Sequence, residues 1–252
     1  MSVPTVKALE FELGDGTIAL PQSLLWLERS RTLVAADAHL AYEDVIGGAL
    51  PLWSTAASVE TLLRVARQRE AAEIVFLGDV IHGSVMSEGA AGVVGEALSL
   101  LRTQCRVTLI AGNHEGRSRG AAVLGDTQEA LERDGWTLVH GDRPSLAPRT
   151  IVGHLHPSLP LAAGASMPVF LAAPSLIVVP ALTPYSSGLN VLSRACTNAL
   201  RALGAANDMT VVASGHDRVF PFGSLGPLRA LLASGTQLAQ AFEGRVRQRG
   251  RR

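Results

Sequence analysis

The sequence predicts a layered α/β fold in which two packed β-sheets are flanked by helices. Three observations predict it. In the first half of the chain, apolar strand-like segments alternate with segments of helical periodicity. In the second half, strand follows strand with one candidate helix between them, which is typical of two packed sheets. Finally, Asp, Asn and His follow the ends of several strands, where sites gather in open α/β sheets.

The size of the chain suits one large domain or two small ones. It has 252 residues, of which 47% are hydrophobic and 17% are charged, so it can bury a substantial core. No long Ser/Gly linker, repeat or low-complexity block divides it. We therefore expect a single domain over residues 1–252, with the short basic tail at about 245–252 disordered.

Charge and cysteine content narrow the class of protein. Lysine plus arginine and aspartate plus glutamate both number 22, so bulk charge gives no evidence for nucleic-acid binding. Cys105 and Cys196 are far apart and outside any CxxC motif, which favours reduced thiols. The N-terminus lacks a signal core, and the apolar stretches are interrupted by prolines. We expect a cytoplasmic protein without a membrane partner, and the oligomeric state is left open.

The first elements follow from local patterns. The segment KALEFELGDGTIAL is typical of a hairpin that turns at Gly14–Gly16. SLLWLE and TLVAAD follow as strands, and the second is almost wholly apolar, as expected of a strand covered on both faces. A helix is predicted over SVETLLRVARQRE, with Ser54 or Thr55 as its N-cap, because apolar residues recur there at helical spacing.

The alternation continues with a strand at EIVFLGD, a helix at GVVGEALSLLRTQ and a strand at RVTLIAGN. The segment DTQEALERDG is predicted as a short helix that begins at Asp126 or Thr127 and ends at Gly135. Later strands are predicted at WTLVHG, RTIVGH, PVFLAA, SLIVVPAL, TVVAS and RVFPFG, and ACTNALRALG is a candidate helix.

Six of the seven histidines lie in five short segments, each at the end of an apolar run. The ligand-type residues of these segments are Asp37, His39, Asp79, His82, Asn113, His114, Glu115, His140, His154 and His156. Imidazole and carboxylate hold borderline divalent metals. Three consecutive strands end at Asp37, Asp79 and Asn113, so an oxygen ligand from each is expected at one rim of the sheet.

This mixture of ligands indicates a two-metal centre for phosphoester hydrolysis. Two divalent ions can stabilise both the attacking and the leaving oxygen of a displacement at phosphorus. Four thiolates would instead indicate a closed structural zinc site, and the chain has only two cysteines. Oxygen and imidazole ligands suit Mn, Fe, Zn or Co, and the sequence does not choose among these metals.

The ordered set DxH, GDxxH, GNHE, His-Gly and GHxHP resembles the calcineurin-like metallophosphoesterase superfamily. The flanking segments WLERSRTLVAADAHL, PALTPYSSGLNV and GHDRVFPFG resemble the bacterial and archaeal ligase-associated metallophosphoesterases, over Leu20 to Gly223. The resemblance implies a four-layer α-β-β-α sandwich of two mixed sheets flanked by helices, the metallo-dependent phosphatase fold. It also implies two divalent metal ions, with Mn favoured and Fe, Zn or Co as alternatives.

The resemblance further implies roles for individual side chains. The implied metal ligands are Asp37, His39 and His156 for the first ion, Asn113, His140 and His154 for the second, and Asp79 as the bridge between them. His114 would be catalytic, either protonating the leaving oxygen or stabilising the transition state. Glu115 would orient His114. Asp142 is a candidate for orienting the ring of His140, with a simple turn as the alternative.

One departure from the pattern concerns substrate binding. Relatives often carry Gly-Lys after DxHL, whereas this chain has Ala41-Tyr42-Glu43 and so lacks a candidate cationic phosphate contact. Arg117 and Arg119 are candidate substrate-binding residues in its place, with a solvated loop as the alternative. His82 is a further candidate for substrate binding, with a loop histidine satisfied by the backbone as the alternative.

The leading functional hypothesis is a phosphodiesterase that uses a metal-bound hydroxide and acts on a phosphoester substrate, with DNA in repair as a candidate. One alternative is a phosphomonoesterase on a small molecule. The other is a non-catalytic scaffold that uses the same fold for partner binding. A scaffold would be expected to have lost ligands or the catalytic histidine, and this chain retains the whole set.

Overall fold

The structure is a computed structural model that describes residues 9–47, 52–83, 86–114, 119–161, 164–186, 188–205 and 208–233. The predicted disordered tail at 245–252 lies outside these residues. Among the described helices, none has the length and apolar character needed to cross a bilayer. Cys105 and Cys196 are both free thiols, as predicted.

The first sheet has six strands in the order in which they occur along the chain. They are β1 (Phe11–Gly14), β2 (Thr17–Ala19), β3 (Leu25–Leu27), β4 (Thr32–Ala35), β5 (Glu73–Leu77) and β6 (Arg106–Ile110). The first four strands pair antiparallel, whereas β4, β5 and β6 are parallel neighbours. The helices of this half are α1 (Tyr42–Ile46), α2 (Trp53–Gln68), α3 (Glu88–Gln104) and α4 (Arg119–Leu124).

The second sheet has nine strands and is also mixed. Its main path runs β13-β10-β11-β12-β9-β8-β7, and β14 joins it at β11 with β15 beside β14. The strands are β7 (Leu131–Arg133), β8 (Trp136–Val139), β9 (Thr150–Val152), β10 (Pro157–Pro160), β11 (Ser166–Ala173), β12 (Leu176–Val178), β13 (Leu189–Asn190), β14 (Thr210–Ser214) and β15 (Val219–Ser224). Helix α5 (Arg194–Ala202) and the helical residues 225–233 complete this half.

Strand β5 shows how the layers stack. Successive strand residues point to opposite faces of a sheet. Accordingly, Ile74 and Phe76 pack in the cluster that joins the first sheet to α2 and α3. Val75 and Leu77 pack in a second cluster, where the two sheets face each other. All five residues of β5 are buried, as expected of a strand covered on both sides.

A third cluster covers the outer face of the second sheet. Leu171 and Val211 from the sheet pack there with Cys196 and Leu200 of α5, and Leu228 joins them. The three clusters therefore separate four layers in the order helix, sheet, sheet, helix. This confirms the predicted four-layer α-β-β-α sandwich of two mixed sheets.

One predicted helix was wrong. The segment predicted as a helix ending at Gly135 instead contains β7 and the two-residue turn that joins β7 to β8 in a hairpin. Its turn residues Asp134 and Gly135 have φ of 54° and 82°, which is the conformation that Asp-Gly favours in two-residue hairpin turns. Arg133 also forms an ion pair of 2.8 Å with the buried Glu73 of β5. Turn chemistry and a contact distant in sequence therefore outweighed the local helical pattern.

The predicted N-cap of α2 was also wrong. The helix begins at Trp53, and the residue before it makes no side-chain cap. The Ser54 backbone N–H donates to Glu43 Oε1 at 2.9 Å, and Thr55 Oγ1 accepts from the Ala41 N–H at 2.7 Å. Both polar residues therefore tie α2 to the segment that follows β4.

The ends of five strands meet at one edge of the sandwich. The parallel neighbours β4, β5 and β6 end there in the first sheet, and the parallel neighbours β8 and β9 end there in the second. Contacts across the sheets join these ends: the His154 N–H donates to Asp37 Oδ2, and His140 Nδ1 lies 2.8 Å from the Leu77 carbonyl. The predicted ligand segments therefore come together.

Candidate metal centre

The structure gathers six of the predicted ligands into two groups. The members are Asp37, His39 and His156 in the first group, and Asp79, His140 and His154 in the second. Within each group, one ligand atom from every residue lies within 4.8 Å of the others. The groups adjoin, because His140 contacts both carboxylates: its Nε2 lies 3.4 Å from Asp79 Oδ2, and its Nδ1 lies 3.8 Å from Asp37 Oδ1.

The Asp37 carboxylate is buried without enough hydrogen-bond donors. Its side chain has no exposed surface, and its Oδ2 accepts the His154 N–H at 2.8 Å. Its Oδ1 accepts no hydrogen bond within the part of the chain that the structure describes, and His156 Nε2 lies 3.3 Å away. A buried carboxylate oxygen without a donor is costly unless a cation compensates it. The oxygen therefore fits a metal ion at this position.

Asp79 is held as a charged carboxylate. Its Oδ1 accepts the backbone N–H of His114 at 3.0 Å, and its Oδ2 faces the His140 ring. Burial raises the pKa of Asp79, but the hydrogen bonds from His140 and His114 outweigh it and lower that pKa to about 2. The carboxylate is therefore available as an anionic ligand at neutral pH.

A backbone carbonyl orients His140. Since the Leu77 carbonyl only accepts, His140 Nδ1 carries the hydrogen, and Nε2 faces Asn113 Oδ1 at 2.8 Å and His154 Nδ1 at 3.1 Å. This carbonyl, rather than Asp142, orients the ring. Burial lowers the pKa of His140, but the hydrogen bond to Asp79 and the nearby carboxylate charges raise it to about 9. Nε2 is therefore the ring nitrogen that faces the other candidate ligands.

His39 and His154 favour their neutral form. Burial, followed by the charges of His156 and His82, lowers the pKa of His39 to about 3. Burial and the charge of His140 lower the pKa of His154. His156 Nδ1 lies 2.7 Å from Ser186 Oγ, which leaves its Nε2 directed to Asp37. Neutral imidazole is the form that ligates a metal.

His114 and His82 stand beside the two groups. The His114 side chain is 42% exposed, and its Nε2 lies 3.9 Å from Asp79 Oδ2. Its ring stacks on His82 with centroids 4.6 Å apart, and His82 Nδ1 lies 3.1 Å from His39 Nδ1. His114 is therefore both adjacent to the cluster and open to a ligand from solvent, and His82 contacts imidazole rings of the site.

The other predicted site residues are only partly described. Asn113 lies at the cluster through its Oδ1, as given above. Glu115 and Arg117 lie outside the described residues, and Arg119 begins α4 without a described side chain. The predicted roles of these three residues stay predictions.

Three residues at the centre were missed as site residues. Ser186 fixes the His156 ring, while Tyr42 and Tyr185 line a cleft next to His39 and His156. Ser186 and Tyr185 belong to PALTPYSSGLNV, which the sequence analysis used only to support the resemblance. No spacing rule marks a lone hydroxyl as the partner of a distant histidine, so only the fold identifies it.

The backbone at the site is strained. Five predicted ligands have positive φ, between 44° and 61°: Asp37, His39, Asp79, His154 and His156. Such values are uncommon for residues with a side chain and cost on the order of 1–3 kcal/mol each. Strain of this kind persists only where the surrounding structure imposes it, and it clusters at functional sites. The strained turns direct these side chains to one place at the strand ends.

Two glycines allow the close packing of the site. Gly112 follows β6, and a Cβ there would lie 2.2 Å from both the backbone nitrogen and Oδ1 of Asp79. Gly78 has φ of 78°, and its Cβ would lie 2.4 Å from His140 Nδ1. A side chain at either position would displace a predicted ligand.

Comparison with known proteins identifies the family of the chain. The chain matches the family model of the calcineurin-like phosphoesterases over residues 30–219, and it belongs to that family. Among solved structures, nuclease MPE of Pseudomonas putida aligns with a TM-score of 0.62 at 22% identity, covering 82% of this chain and 94% of that one. The E. coli phosphoesterase Yfce aligns with a TM-score of 0.37 at 19% identity, covering 71% and 86%. No curated protein sequence matches significantly.

We predict that Gly112→Ala weakens metal binding. The new methyl group would push against Asp79, and displacement of groups that hold a ligand lowers metal affinity by roughly 10–100-fold. Titration calorimetry with Mn²⁺ measures the affinity, and circular dichroism verifies that the variant is folded.

Gly92→Ala is the matched control for this change. Gly92 lies within α3, and a Cβ there meets nothing within 4 Å. We expect unchanged metal affinity and a gain of about 0.5–1 kcal/mol in the free energy of unfolding, because alanine favours the helix. Equal affinities in both folded variants would contradict the close approach of Gly112 to Asp79.

Proposed function

We propose that the protein is a binuclear metal-dependent phosphodiesterase. The observation that carries the proposal is the pair of adjoining ligand groups, each with one carboxylate and two imidazoles, in a calcineurin-like phosphoesterase. The proposed ligands are Asp37, His39 and His156 for one ion, Asn113, His140 and His154 for the other, and Asp79 between them. Mn²⁺ is the favoured metal, with Fe, Zn or Co as alternatives.

The chemistry that two divalent ions supply when bound is an activated water and the neutralisation of phosphoryl charge. The residues of the chain arrange the centre for it. The Leu77 carbonyl and Ser186 fix two imidazole rings, and the His154 and His114 backbone N–H groups fix the two carboxylates. Because these groups already stand in place, little reorganisation is needed when substrate binds.

His114 is the proposed general acid. It is the exposed imidazole beside Asp79, and its Nε2 can deliver a proton to the leaving oxygen of a substrate at the centre. His82 stacks on the ring of His114 and limits its rotation. Glu115, next in sequence, is proposed to orient His114, and Arg117 and Arg119 are proposed to contact the substrate.

A diester is favoured over a monoester by the fold shared with a nuclease, and this makes a nucleic acid a candidate substrate. A role in DNA repair and a location in the cytoplasm are further parts of the proposal. The scaffold alternative is disfavoured because the buried Asp37 Oδ1 has no hydrogen-bond donor among the described residues, which is costly unless a cation binds there. A protein that had abandoned metal binding would be expected to remove that cost.

A panel of substrates and metals tests the proposed function. The substrates are an aryl phosphodiester, an aryl phosphomonoester, cyclic nucleotides, and single- and double-stranded DNA, each with Mn²⁺, Fe²⁺, Zn²⁺ or Co²⁺. We expect the diester to be hydrolysed faster than the monoester, and chelation or Asp79→Asn to abolish the reaction. Faster monoester hydrolysis would identify a monoesterase, and no hydrolysis with any metal would support a scaffold.

The leaving group tests the role of His114. General acid catalysis contributes roughly 10²–10⁴-fold, and it matters most for a poor leaving group. We therefore expect His114→Ala to lower kcat by at least about 100-fold with an alkyl diester and far less with a p-nitrophenyl diester, whose anion leaves unaided. His216→Ala is the control, since His216 is exposed and outside the cluster. Equal losses with both leaving groups would contradict the acid role.

A further inference from the structure

An aromatic cleft of about 180 Å³ opens beside the first ligand group. The candidate ligands His39 and His156 line it, together with His82, Tyr42 and Tyr185. The Tyr42 and His39 ring centroids are 6.2 Å apart. A molecule held through its phosphate at the metal centre would therefore reach this cleft with the group attached to that phosphate.

The rings of Tyr42 and Tyr185 pack against each other and form one aromatic surface, called the platform below, so a ligand does not fit between them. Their ring centroids are 5.2 Å apart with an angle of 30° between the planes. A planar group between them would need roughly 7 Å, or two contact distances of about 3.5 Å. Tyr42 also packs against His82, with ring centroids 4.9 Å apart and an angle of 78° between the planes. Tyr185 is 44% exposed and lines the cleft, so part of it is open to a ligand.

A buried carboxylate fixes the platform. Glu43 is 3% exposed, and its Oε1 accepts the Tyr185 hydroxyl at 3.1 Å and the Ser54 N–H at 2.9 Å. The next residue after Tyr185 is Ser186, which holds the His156 ring. The platform and the first ligand group are therefore positioned by adjacent residues of one segment, and a ring held in place loses little freedom when it binds a ligand.

We propose that this cleft binds an unpaired nucleobase attached to the scissile phosphate, by stacking on Tyr185. The inference rests on the proposed phosphodiesterase function. Aromatic side chains bind bases of single strands by stacking, without regard to sequence. The chain has no net charge, so stacking rather than a general basic field would supply much of the affinity. A base within a duplex is already stacked and paired, so single-stranded substrate is selected.

Base removal tests the cleft by kinetics. The substrates are the dinucleotide dithymidylate and two analogues in which one base or the other is replaced by hydrogen. In the wild-type protein, we expect loss of the base on one side to lower kcat/KM by about 10-fold, within the range for one stacked base. In Tyr185→Ala the same loss should have an effect of less than 2-fold, because the platform is gone.

Two variants control the experiment. Tyr185→Phe keeps the ring and loses only the bond to Glu43, so it should retain most of the base effect. Trp53→Ala removes an aromatic side chain that is 76% exposed and does not line the cleft, so its base effect should equal that of wild type. A base effect that survives in Tyr185→Ala, or that is absent from wild type, would overturn the cleft assignment.

A binding measurement separates this inference from the proposed function. Labelled hexathymidylate and an abasic hexamer of equal charge are titrated with protein in EDTA at low salt, with fluorescence anisotropy as readout. The wild-type protein and Trp53→Ala should bind hexathymidylate about 10-fold more tightly than the abasic hexamer. Tyr185→Ala should bind the two oligomers with equal affinity. If the protein prefers the base-bearing hexamer but hydrolyses no substrate, only the proposed phosphodiesterase function is refuted. If it hydrolyses diesters but binds both hexamers equally, only the proposed base binding in the cleft is refuted.

Discussion

The site depends on two carboxylates, Asp37 and Asp79, that are buried close together at the ends of the strands. Asp37 has no exposed surface and keeps one oxygen without a hydrogen-bond donor among the described residues. Asp79 lies against His140, which also lies close to Asp37. Charged groups in such a place are costly unless a counter-charge is bound. His140 lies 3.4 Å from Asp79 and 3.8 Å from Asp37, and a bound cation would supply the counter-charge that the two carboxylates require.

Much of the surrounding structure serves to keep these groups close. Left-handed turns direct five predicted ligands to the edge where the strands end, and Gly78 and Gly112 allow the backbone to approach the cluster. Backbone groups then fix the side chains: the Leu77 carbonyl sets the His140 ring, and the His154 N–H sets Asp37. The strain and the crowding are intelligible as the cost of a site prepared before metal binds.

The fold and the gathering of the ligand segments could be predicted because they follow from simple rules. Apolar strands that end at Asp37, Asp79 and Asn113 imply parallel neighbours with a shared rim, and the structure has them. The hairpin at Asp134 could not be separated from a helix by periodicity alone, since its turn and the ion pair of Arg133 with Glu73 decided the outcome. The roles of the side chains as metal ligands stay predictions.

The least predictable part of the site lies just after the first ligand segment. Tyr42 and Glu43 suggested from sequence only the loss of a cationic phosphate contact. In the structure, the Tyr42 ring packs against the Tyr185 ring, and Glu43 accepts a hydrogen bond from the Tyr185 hydroxyl. Glu43 and Tyr185 are 142 positions apart in the sequence, so only the fold brings Tyr42 and Glu43 to this place beside the cluster. Partners so distant along the chain leave no local pattern, and composition gives no sign of an aromatic platform.

Diffraction from crystals grown with Mn²⁺ and measured at the manganese edge tests the central claim most directly. We predict two anomalous peaks about 3.5–4 Å apart, the spacing that two-metal hydrolases use, on either side of Asp79. Asp37, His39 and His156 should surround one peak, and Asn113, His140 and His154 the other. A single peak, or ions bound away from both carboxylates, would contradict the account.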